Sequence, residues 1–283
     1  MDITQQKDNE QTTLWNGGAG RAWVDAQESL DQLFKPFEDR LVDVVRAGAA
    51  RRVLDVGCGT GATTLAVARL LGAQGQCVGA DVSGPMIAVA RARAQQEGTP
   101  ASFIRADAQR HAFEPASFDM IISRFGVMFF DSPVQAFANL RHAAREGAVL
   151  RVIAWRSAAE NPFMTTAERA AAPLLPNLPA RQPGAPGQFS FADRTRVLSI
   201  LEESGWAEID IRPIDVACTL PEKALHGYLT RLGPVGLILQ DADERTRAQV
   251  TETVRAAFEP YVHGSEVRFT AACWMIGAQA PAV

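Results

Sequence analysis

Three aspartates stand where three successive predicted strands end, and a glycine-rich loop follows the first of them. Asp55 precedes this loop, Asp81 ends the second strand and Asp107 follows the third. The loop itself contains Gly57, Cys58, Gly59 and Gly61. Glycines allow a tight turn and the close approach of a ligand, and the helix after the loop offers free N–H groups. Carboxylates at neighbouring strand ends suit a ligand with an ammonium group, ribose hydroxyls and an adenine amino group.

The spacing within the loop leaves more than one kind of ligand open. Gly57, Gly59 and Ala62 also satisfy the dinucleotide pattern GxGxxG/A, so an NAD(P)-dependent oxidoreductase is one hypothesis. Asp55 argues against it, because a carboxylate that points into the loop repels a pyrophosphate and attracts an ammonium group. Asp81 does not distinguish a dinucleotide from a cofactor that carries an amino acid, since either one can contain an adenosine ribose. A cofactor that carries an amino acid is favoured, and a protein that binds it without turnover is a third hypothesis.

Short apolar runs alternate with helical stretches, and this alternation positions the aspartates. Strands are predicted at 53–56, 77–82, 101–106, 118–123, 148–155, 208–218 and 266–276. Helices are predicted at 60–71, 86–96, 132–145 and 192–204, with further helical material at 221–260. This alternation predicts right-handed crossovers and a mainly parallel, doubly wound α/β sheet. The carboxyl ends of its strands then meet along one edge, where ligands bind.

The chain divides into three predicted parts. Residues 1–50 are expected to form a polar tail and an amphipathic helical arm, which Pro36 breaks or kinks into two helices. Residues 51–156 form the ligand-binding core, and residues 157–283 complete the sheet. Two insertions in this last part are predicted to form a lid and substrate-binding region, at about 157–190 and 220–264.

Four segments of the core carry motifs in a recognisable order. They are LDVGCGTGATTLAVARLLG, GADVSGPMIAVARARA, IRADAQ and FDMIISRFGVMFFDSPVQAFANLRHAAREGAVLRVIAW. These segments lie within residues 51–156 and resemble the successive motifs of the class I S-adenosylmethionine-dependent methyltransferases. The resemblance is closest to the small-molecule branch, which is typified by the ubiquinone and menaquinone biosynthesis C-methyltransferases. The resemblance implies a Rossmann-like, seven-stranded sheet in the order 3-2-1-4-5-7-6, with the last strand antiparallel. It also implies S-adenosylmethionine as the cofactor and S-adenosylhomocysteine as the product.

The resemblance carries over to particular residues of the core. The cofactor-binding residues that it implies are Asp55, Gly57, Cys58, Gly59, Gly61, Asp81, Val82, Met86, Asp107, Ala108 and Ser123. The first five would hold the methionine part of the cofactor, and Ser123 would offer its backbone carbonyl to the ammonium group. Asp81 would bind the ribose hydroxyls, and Asp107 would bind the adenine edge.

The loop after the fourth strand stands where this family places its methyl acceptor, and here that loop is apolar and aromatic. The predicted substrate-binding residues are Trp15, Trp23, Arg124, Phe125, Met128 and Phe129. Arg124 could orient an anionic or phenolic group of the acceptor. The two tryptophans flank a glycine segment and could close over the site, where their faces would stabilise a sulfonium. A small, hydrophobic or aromatic acceptor is the expected substrate.

Methyl transfer from a sulfonium is an in-line displacement, so the protein has chiefly to position the acceptor and exclude water. No nucleophilic side chain is required. A general base is useful where the acceptor carries a proton, and His226 is the first candidate for a catalytic base among the four histidines. The four cysteines lack metal-ligand spacing, so we expect reduced, mostly buried thiols and no metal site.

Charge and hydropathy narrow the range of partners. The 28 Lys and Arg against 32 Asp and Glu leave a formal charge of −4, which disfavours nucleic acid as the main partner. The apolar stretches fall short of the roughly 20 residues that a membrane-spanning helix needs. The first thirteen residues lack the pattern of a secretion signal, so a cytoplasmic location is expected. The residues beyond the core could form a homodimer interface instead of a lid.

Overall fold

A mixed β-sheet forms the centre of the computed structural model, which describes residues 3–182 and 184–282, with side chains from residue 10 onward. The strands are β1 (Arg52–Val56), β2 (Gln76–Asp81), β3 (Ser102–Arg105), β4 (Phe118–Arg124), β5 (Ala144–Trp155), β6 (Ala207–Pro221), β7 (Val262–His263) and β8 (Glu266–Gln279). They pair in the order β3-β2-β1-β4-β5-β8-β6, and β7 pairs with β8. The strands from β1 to β5 run parallel, whereas β8 runs antiparallel to β5 and β6. The predicted fold is confirmed, and the short β7 is an addition to it.

Helices occupy most of the remaining described chain. They are α1 (Ile3–Asn16), α2 (Gly18–Asp25), α3 (Gln27–Ala47), α4 (Ala62–Leu71), α5 (Gly84–Glu97), α6 (Pro133–Ala143), α7 (Pro162–Ala171), α8 (Arg194–Glu203), α9 (Glu222–Arg231), α10 (Gly233–Asp241) and α11 (Glu244–Ala257). Among the described residues, no helix is long and apolar enough to cross a membrane. The four cysteines are free and buried, as expected.

The N-terminal part differs from the prediction in two places. Residues expected to form a polar tail lie in α1, and α3 continues through Pro36 as one helix. A proline inside a helix removes a hydrogen bond and crowds the preceding turn, at a cost of about 3 kcal/mol. Leu33, Phe34 and Phe37 surround this position and are buried in the core. Burying each such side chain contributes about 1.5 to 3 kcal/mol, which offsets the local cost.

The turn after β1 has a backbone conformation that glycine adopts readily. The φ angles are +68° at Gly57, +55° at Gly59 and +88° at Gly61, all in the left-handed region. β1 pairs with β2 on one side and with β4 on the other. The loop therefore emerges in the middle of the carboxyl edge, between the ends of those two strands.

The antiparallel pair of β6 and β8 continues past the end of the parallel strands. β5 ends at Trp155, which pairs with Cys273, while β6 and β8 stay paired as far as Pro221 and Glu266. Because β8 runs antiparallel to β5, this stretch projects beyond the carboxyl edge. Helix α9 packs against β6 and β8, and α11 packs against α7 and α9. The two predicted insertions thus form a helical wall above the sheet edge.

Candidate functional site

A cavity of about 440 Å³ lies at the carboxyl edge of the sheet. Seven predicted cofactor-binding residues line it, namely Gly57, Gly59, Asp81, Val82, Met86, Asp107 and Ala108. The predicted substrate-binding residues line it as well, namely Trp15, Trp23, Arg124, Phe125, Met128 and Phe129. Pockets of this size and apolar character bind small molecules. The structure therefore brings the two predicted sets of residues together around one space.

The Asp81 carboxylate is buried in the cavity wall and holds the glycine loop beside it. Its Oδ2 accepts a hydrogen bond from the Gly59 N–H at 2.8 Å, and its Oδ1 accepts one from the Ser83 N–H at 2.8 Å. Burial raises the pKa of Asp81, and the two backbone donors oppose that rise. A carboxylate oxygen has two lone pairs, so each retains capacity to accept a further hydrogen bond. Asp81 can thus accept two hydroxyl groups of a ligand.

The two outer glycines of the loop are required by packing, whereas the middle one leaves open space. A Cβ on Gly57 would lie 2.5 Å from the Cα of Gly126, in the loop after β4. A Cβ on Gly61 would lie 2.9 Å from the Phe103 ring. On Gly59 the nearest atom would be the Met86 Sδ at 3.7 Å. A ligand can therefore approach the backbone of Gly59 closely.

Cys58 and Gly61 lie outside the cavity wall, although both were predicted to touch the cofactor. The Cys58 thiol is buried and lies 3.8 Å from the Gly59 carbonyl oxygen. Gly61 is the N-cap of α4, in the left-handed conformation. These two residues shape the turn between β1 and α4, and the ligand-facing positions of the loop are Gly57 and Gly59.

Asp107 is fixed by the residue two positions further along. Its Oδ1 accepts hydrogen bonds from the Gln109 backbone N–H at 2.9 Å and from the Gln109 side-chain Nε2 at 3.2 Å. The Gln109 Oε1 in turn accepts from the Ser132 N–H at 2.9 Å. Gln109 lines the cavity and was not singled out in the sequence. It orients the carboxylate at the third strand end.

The side chains of Asp55 and Ser123 are buried and bind neighbouring protein groups, and neither residue lines the cavity. The Asp55 Oδ2 accepts from the Thr64 Oγ1 at 2.7 Å, and the side chain is buried against α4. The Ser123 Oγ donates to the Val56 carbonyl at 2.7 Å. Burial raises the pKa of Asp55 to about 6, while the Thr64 hydrogen bond and the Arg124 charge act in the opposite direction. Both side chains support the loops that face the cavity.

We expect the stability of the protein to fall as the pH rises through the titration of Asp55. The pKa of Asp55 rises from 3.8 to about 6 on folding, so the native state holds the extra proton between these values. Ionisation above pH 6 then costs roughly 2 to 3 kcal/mol of folding free energy. The Asp55→Asn variant lacks this titration but can still accept from Thr64. Urea unfolding at pH 4 and pH 7.5 measures the free energy of unfolding of both proteins, and the variant should gain stability relative to the wild type at the higher pH. If the difference between the two proteins were the same at both pH values, the raised pKa of Asp55 would be contradicted.

An aromatic cluster forms the cavity wall beside β4 and β5. Phe125 stacks on Trp155, with ring centroids 4.6 Å apart and an interplanar angle of 9°. Phe34 of α3 meets Phe125 edge-on at 5.4 Å. The Phe125 φ angle is +66°, an uncommon conformation for a bulky residue that places its ring in this stack. The cluster makes this part of the cavity wall apolar and aromatic.

Arg124 brings a cation to the same cluster. Its guanidinium carbon lies 5.7 Å from the Phe34 ring centroid, and its Nη1 donates to the Phe34 carbonyl at 3.5 Å. Burial lowers the pKa of Arg124, and the carboxylates of Asp31, Glu38 and Asp55 oppose that effect. A guanidinium stays protonated in proteins, so the cavity keeps a positive charge at this point.

The N-terminal helices close one side of the cavity. The Trp15 ring meets Phe129 edge-on at 5.0 Å and Trp23 at 6.0 Å. The Trp15 carbonyl accepts from the Ser83 Oγ at 2.7 Å. Asn16 donates to the Val82 carbonyl at 3.1 Å and accepts from the Gly84 N–H at 2.9 Å. These polar contacts fasten the end of α1 to the turn after β2, and no sequence motif marked Asn16 for this role.

The structure places His226 outside the cavity wall, so its position gives no support to the prediction of a catalytic base. His226 lies exposed on α9, and the helix presents Tyr228 and Leu229 to the cavity instead. His111, His142 and His263 are also described, and all are exposed and absent from the cavity wall. Successive residues of a helix are rotated by about 100°, so His226 and Tyr228 point in different directions. The sequence alone does not determine which of the two faces the cavity.

The helical wall contributes lining residues that the sequence analysis did not identify. Its apolar members are Phe163, Met164, Leu229, Leu232, Val235 and Phe258, joined by Tyr228. Glu168 and Arg181 lie at its rim, where the Arg181 Nε donates to the Glu168 Oε2 at 2.9 Å. These residues come from segments far apart in the chain, so only the folded structure places them together.

The sheet order and the glycine turn after β1 form a Rossmann-like domain. Residues 53–147 match the protein family described as a methyltransferase domain. The resemblance to the class I S-adenosylmethionine-dependent methyltransferases is thereby confirmed over this core. The match favours the methyltransferase hypothesis over the dinucleotide-binding one.

Relatives of known name are similar to part of this chain. The aklanonic acid methyltransferase of a Streptomyces species is 36% identical over 109 residues, which are 38% of this chain and 50% of that protein. The demethylmenaquinone methyltransferase of Thermus thermophilus is 35% identical over 115 residues, 40% of this chain and 51% of that protein. The chain thus spans about half the length of these curated relatives.

Solved structures extend the likeness of the fold beyond the core. The YcgJ protein of Bacillus subtilis superposes with a TM-score of 0.57 at 16% identity, covering 87% of this chain and 98% of that one. The [4+2]-cyclase SpnF superposes with a TM-score of 0.52 at 21% identity, covering 87% of this chain and 81% of that one. At these identities the likeness concerns the fold, and SpnF illustrates that one fold serves more than one activity.

Proposed function

We propose that this protein transfers a methyl group from S-adenosylmethionine to a small, apolar, aromatic acceptor. The observation that carries the proposal is a single cavity in which Asp81 and Asp107 line one region and the Phe125–Trp155 stack lines another. The relatives named above act, by their names, on aklanonic acid and demethylmenaquinone. Their similarity to this chain supports a small-molecule acceptor.

The residues present fit the proposed cofactor. Asp81 has acceptor capacity for ribose hydroxyls, and Gly59 leaves open space in front of its backbone. The Oδ2 of Asp107 is available for the adenine amino group, because both Gln109 contacts involve Oδ1. Val82 and Met86 add apolar surface for the ring. When bound, the cofactor supplies an activated methyl group.

The chain contributes positioning and exclusion of water. The Phe125–Trp155 stack would hold a flat acceptor, and Arg124 would orient an anionic or phenolic group on it. The N-terminal helices and the helical wall enclose the space between them, which keeps reacting groups aligned and dry. With all four histidines outside the cavity wall, the proposed mechanism assigns no proton transfer to an imidazole.

Transfer of a radiolabelled methyl group from S-adenosylmethionine tests the proposal. The purified protein would be incubated with a panel of phenols, aromatic carboxylic acids and aromatic amines, beside aliphatic polar acceptors of similar size. Label is expected in at least one apolar aromatic acceptor. Label confined to the polar aliphatic acceptors, or transfer to none of the panel despite cofactor binding, would contradict the proposal.

Trp15→Ala is expected to reduce turnover of that acceptor about tenfold while changing cofactor affinity far less. The truncation removes the ring that meets Phe129 and opens the cavity to water, but the backbone carbonyl that binds Ser83 remains. Trp274→Ala is a matched control, since that indole donates to the Ala192 carbonyl at 3.1 Å and lies outside the cavity wall. Equal turnover by the Trp15 variant and the wild type would show that Trp15 has only a packing role.

A further inference from the structure

Tyr228 places a hydroxyl group in an otherwise apolar part of the cavity. It lies on α9, and its ring centroid is 5.7 Å from that of Phe163. Within the described chain, the hydrogen-bond partner recorded for its Oη is the Met164 Sδ, at 3.6 Å. A thioether sulfur is a weak acceptor, whereas buried hydroxyls usually have a full hydrogen-bond partner. Tyr228 therefore has donor capacity that the protein itself scarcely uses.

The surroundings decide what kind of group this hydroxyl can bind. Burial raises the pKa of Tyr228, and the neighbouring Cys218 and Glu168 act in the same direction, so the hydroxyl stays protonated and can donate. The Glu168 carboxylate is already paired with Arg181. This pairing engages the Arg181 charge, and an anion near Tyr228 would lose its hydration among mainly apolar side chains. A neutral oxygen acceptor has a smaller desolvation cost.

We infer that Tyr228 is a specificity-determining residue whose hydroxyl donates a hydrogen bond to a neutral carbonyl oxygen of the aromatic acceptor. The inference rests on the proposed function for the use of the cavity, and it adds the chemical class of the acceptor: an aromatic ketone or a related carbonyl compound. Arg124 and Tyr228 lie on different elements, β4 and α9, so the cavity distinguishes two polar ends of its ligand. A site built to hydrogen-bond an oxygen discriminates strongly against an analogue that lacks it.

The test compares two probes that differ at one carbon: 9-fluorenone-2-carboxylate has a carbonyl group where fluorene-2-carboxylate has a methylene. Both are titrated into the full-length protein by calorimetry, with and without saturating S-adenosylhomocysteine. The wild type is expected to bind the ketone about tenfold more tightly. In Tyr228→Phe this preference should fall below about twofold, with the affinity for S-adenosylhomocysteine unchanged.

The second tyrosine of the chain provides a matched control. Tyr261 also packs on Phe163, with ring centroids 5.0 Å apart, but it lies outside the cavity wall. Tyr261→Phe should therefore keep the full preference for the ketone. Equal affinities of the two probes for the wild type, binding of neither probe, or a preference retained in Tyr228→Phe would overturn the inference. Failure of the wild type to bind S-adenosylhomocysteine would instead count against the proposed function. The titration of the two probes in the absence of S-adenosylhomocysteine would still test the role of Tyr228.

Discussion

Asp81→Asn is expected to weaken the binding of S-adenosylhomocysteine about 30- to 100-fold, or about 2 to 3 kcal/mol. The carboxylate offers charged acceptors to the ribose hydroxyls and at the same time holds the N–H groups of Gly59 and Ser83. An amide of the same shape has one acceptor oxygen, so it can replace part of this network and none of its charge. Calorimetric titration of the folded variant measures the effect.

Asp119 provides a matched control for this substitution. It is 8% exposed, as Asp81 is, and its Oδ2 accepts from the N–H groups of Arg51 and Arg52 at 2.8 and 2.9 Å. Arg51 precedes β1 and Arg52 begins it, so both lie at the opposite end of this strand from the cavity. Asp119→Asn should destabilise the fold and leave the dissociation constant within about twofold. Similar losses of affinity in both variants would mean that Asp81 acts through stability alone.

Gly57→Ala is expected to destabilise the protein by about 2 to 4 kcal/mol and to impair cofactor binding as well. Two effects add: the φ of +68° disfavours a side chain, and the new Cβ would lie 2.5 Å from the Cα of Gly126. Neither backbone can move without shifting a loop that lines the cavity. Urea unfolding and titration with S-adenosylhomocysteine measure the two losses separately.

Gly98→Ala separates backbone strain from crowding. Gly98 has a φ of +64° and a ψ of 28°, in the left-handed region, and a Cβ there would meet no atom within 4 Å. This control should lose only about 1 kcal/mol and keep its cofactor affinity. If the two variants lost the same stability, the contact between Gly57 and Gly126 would not determine the shape of the loop.

The ligand-facing acids could be predicted because their signals are local. The glycine spacing predicts the turn, and Asp81 and Asp107 follow apolar runs that pair as neighbouring strands. The same signals could not show that Asp55 faces Thr64 and α4 behind the cavity wall. The side-chain alternation of a strand gives two faces, and only the packing of helices decides which face a ligand reaches.

The acceptor side of the cavity depends on contacts between distant segments, and prediction was poorer there. Residues of α7, α9 and α10 form one wall, although 64 positions separate Met164 from Tyr228. The sequence marks these segments as helical or extended without orienting them, so it does not show that α9 presents Tyr228 and not His226 to the cavity. Pro36 illustrates the same limit, since tertiary burial of its neighbours overrides a local preference.

A crystal structure with S-adenosylhomocysteine tests the central claim most directly. The account predicts electron density along the carboxyl edge, with ribose hydroxyls at Asp81, the adenine between Met86 and Asp107, and the amino-acid end beside Gly57 and Gly59. Density for this compound elsewhere on the protein, or a preference of the glycine loop for the diphosphate of a dinucleotide soaked in its place, would contradict it.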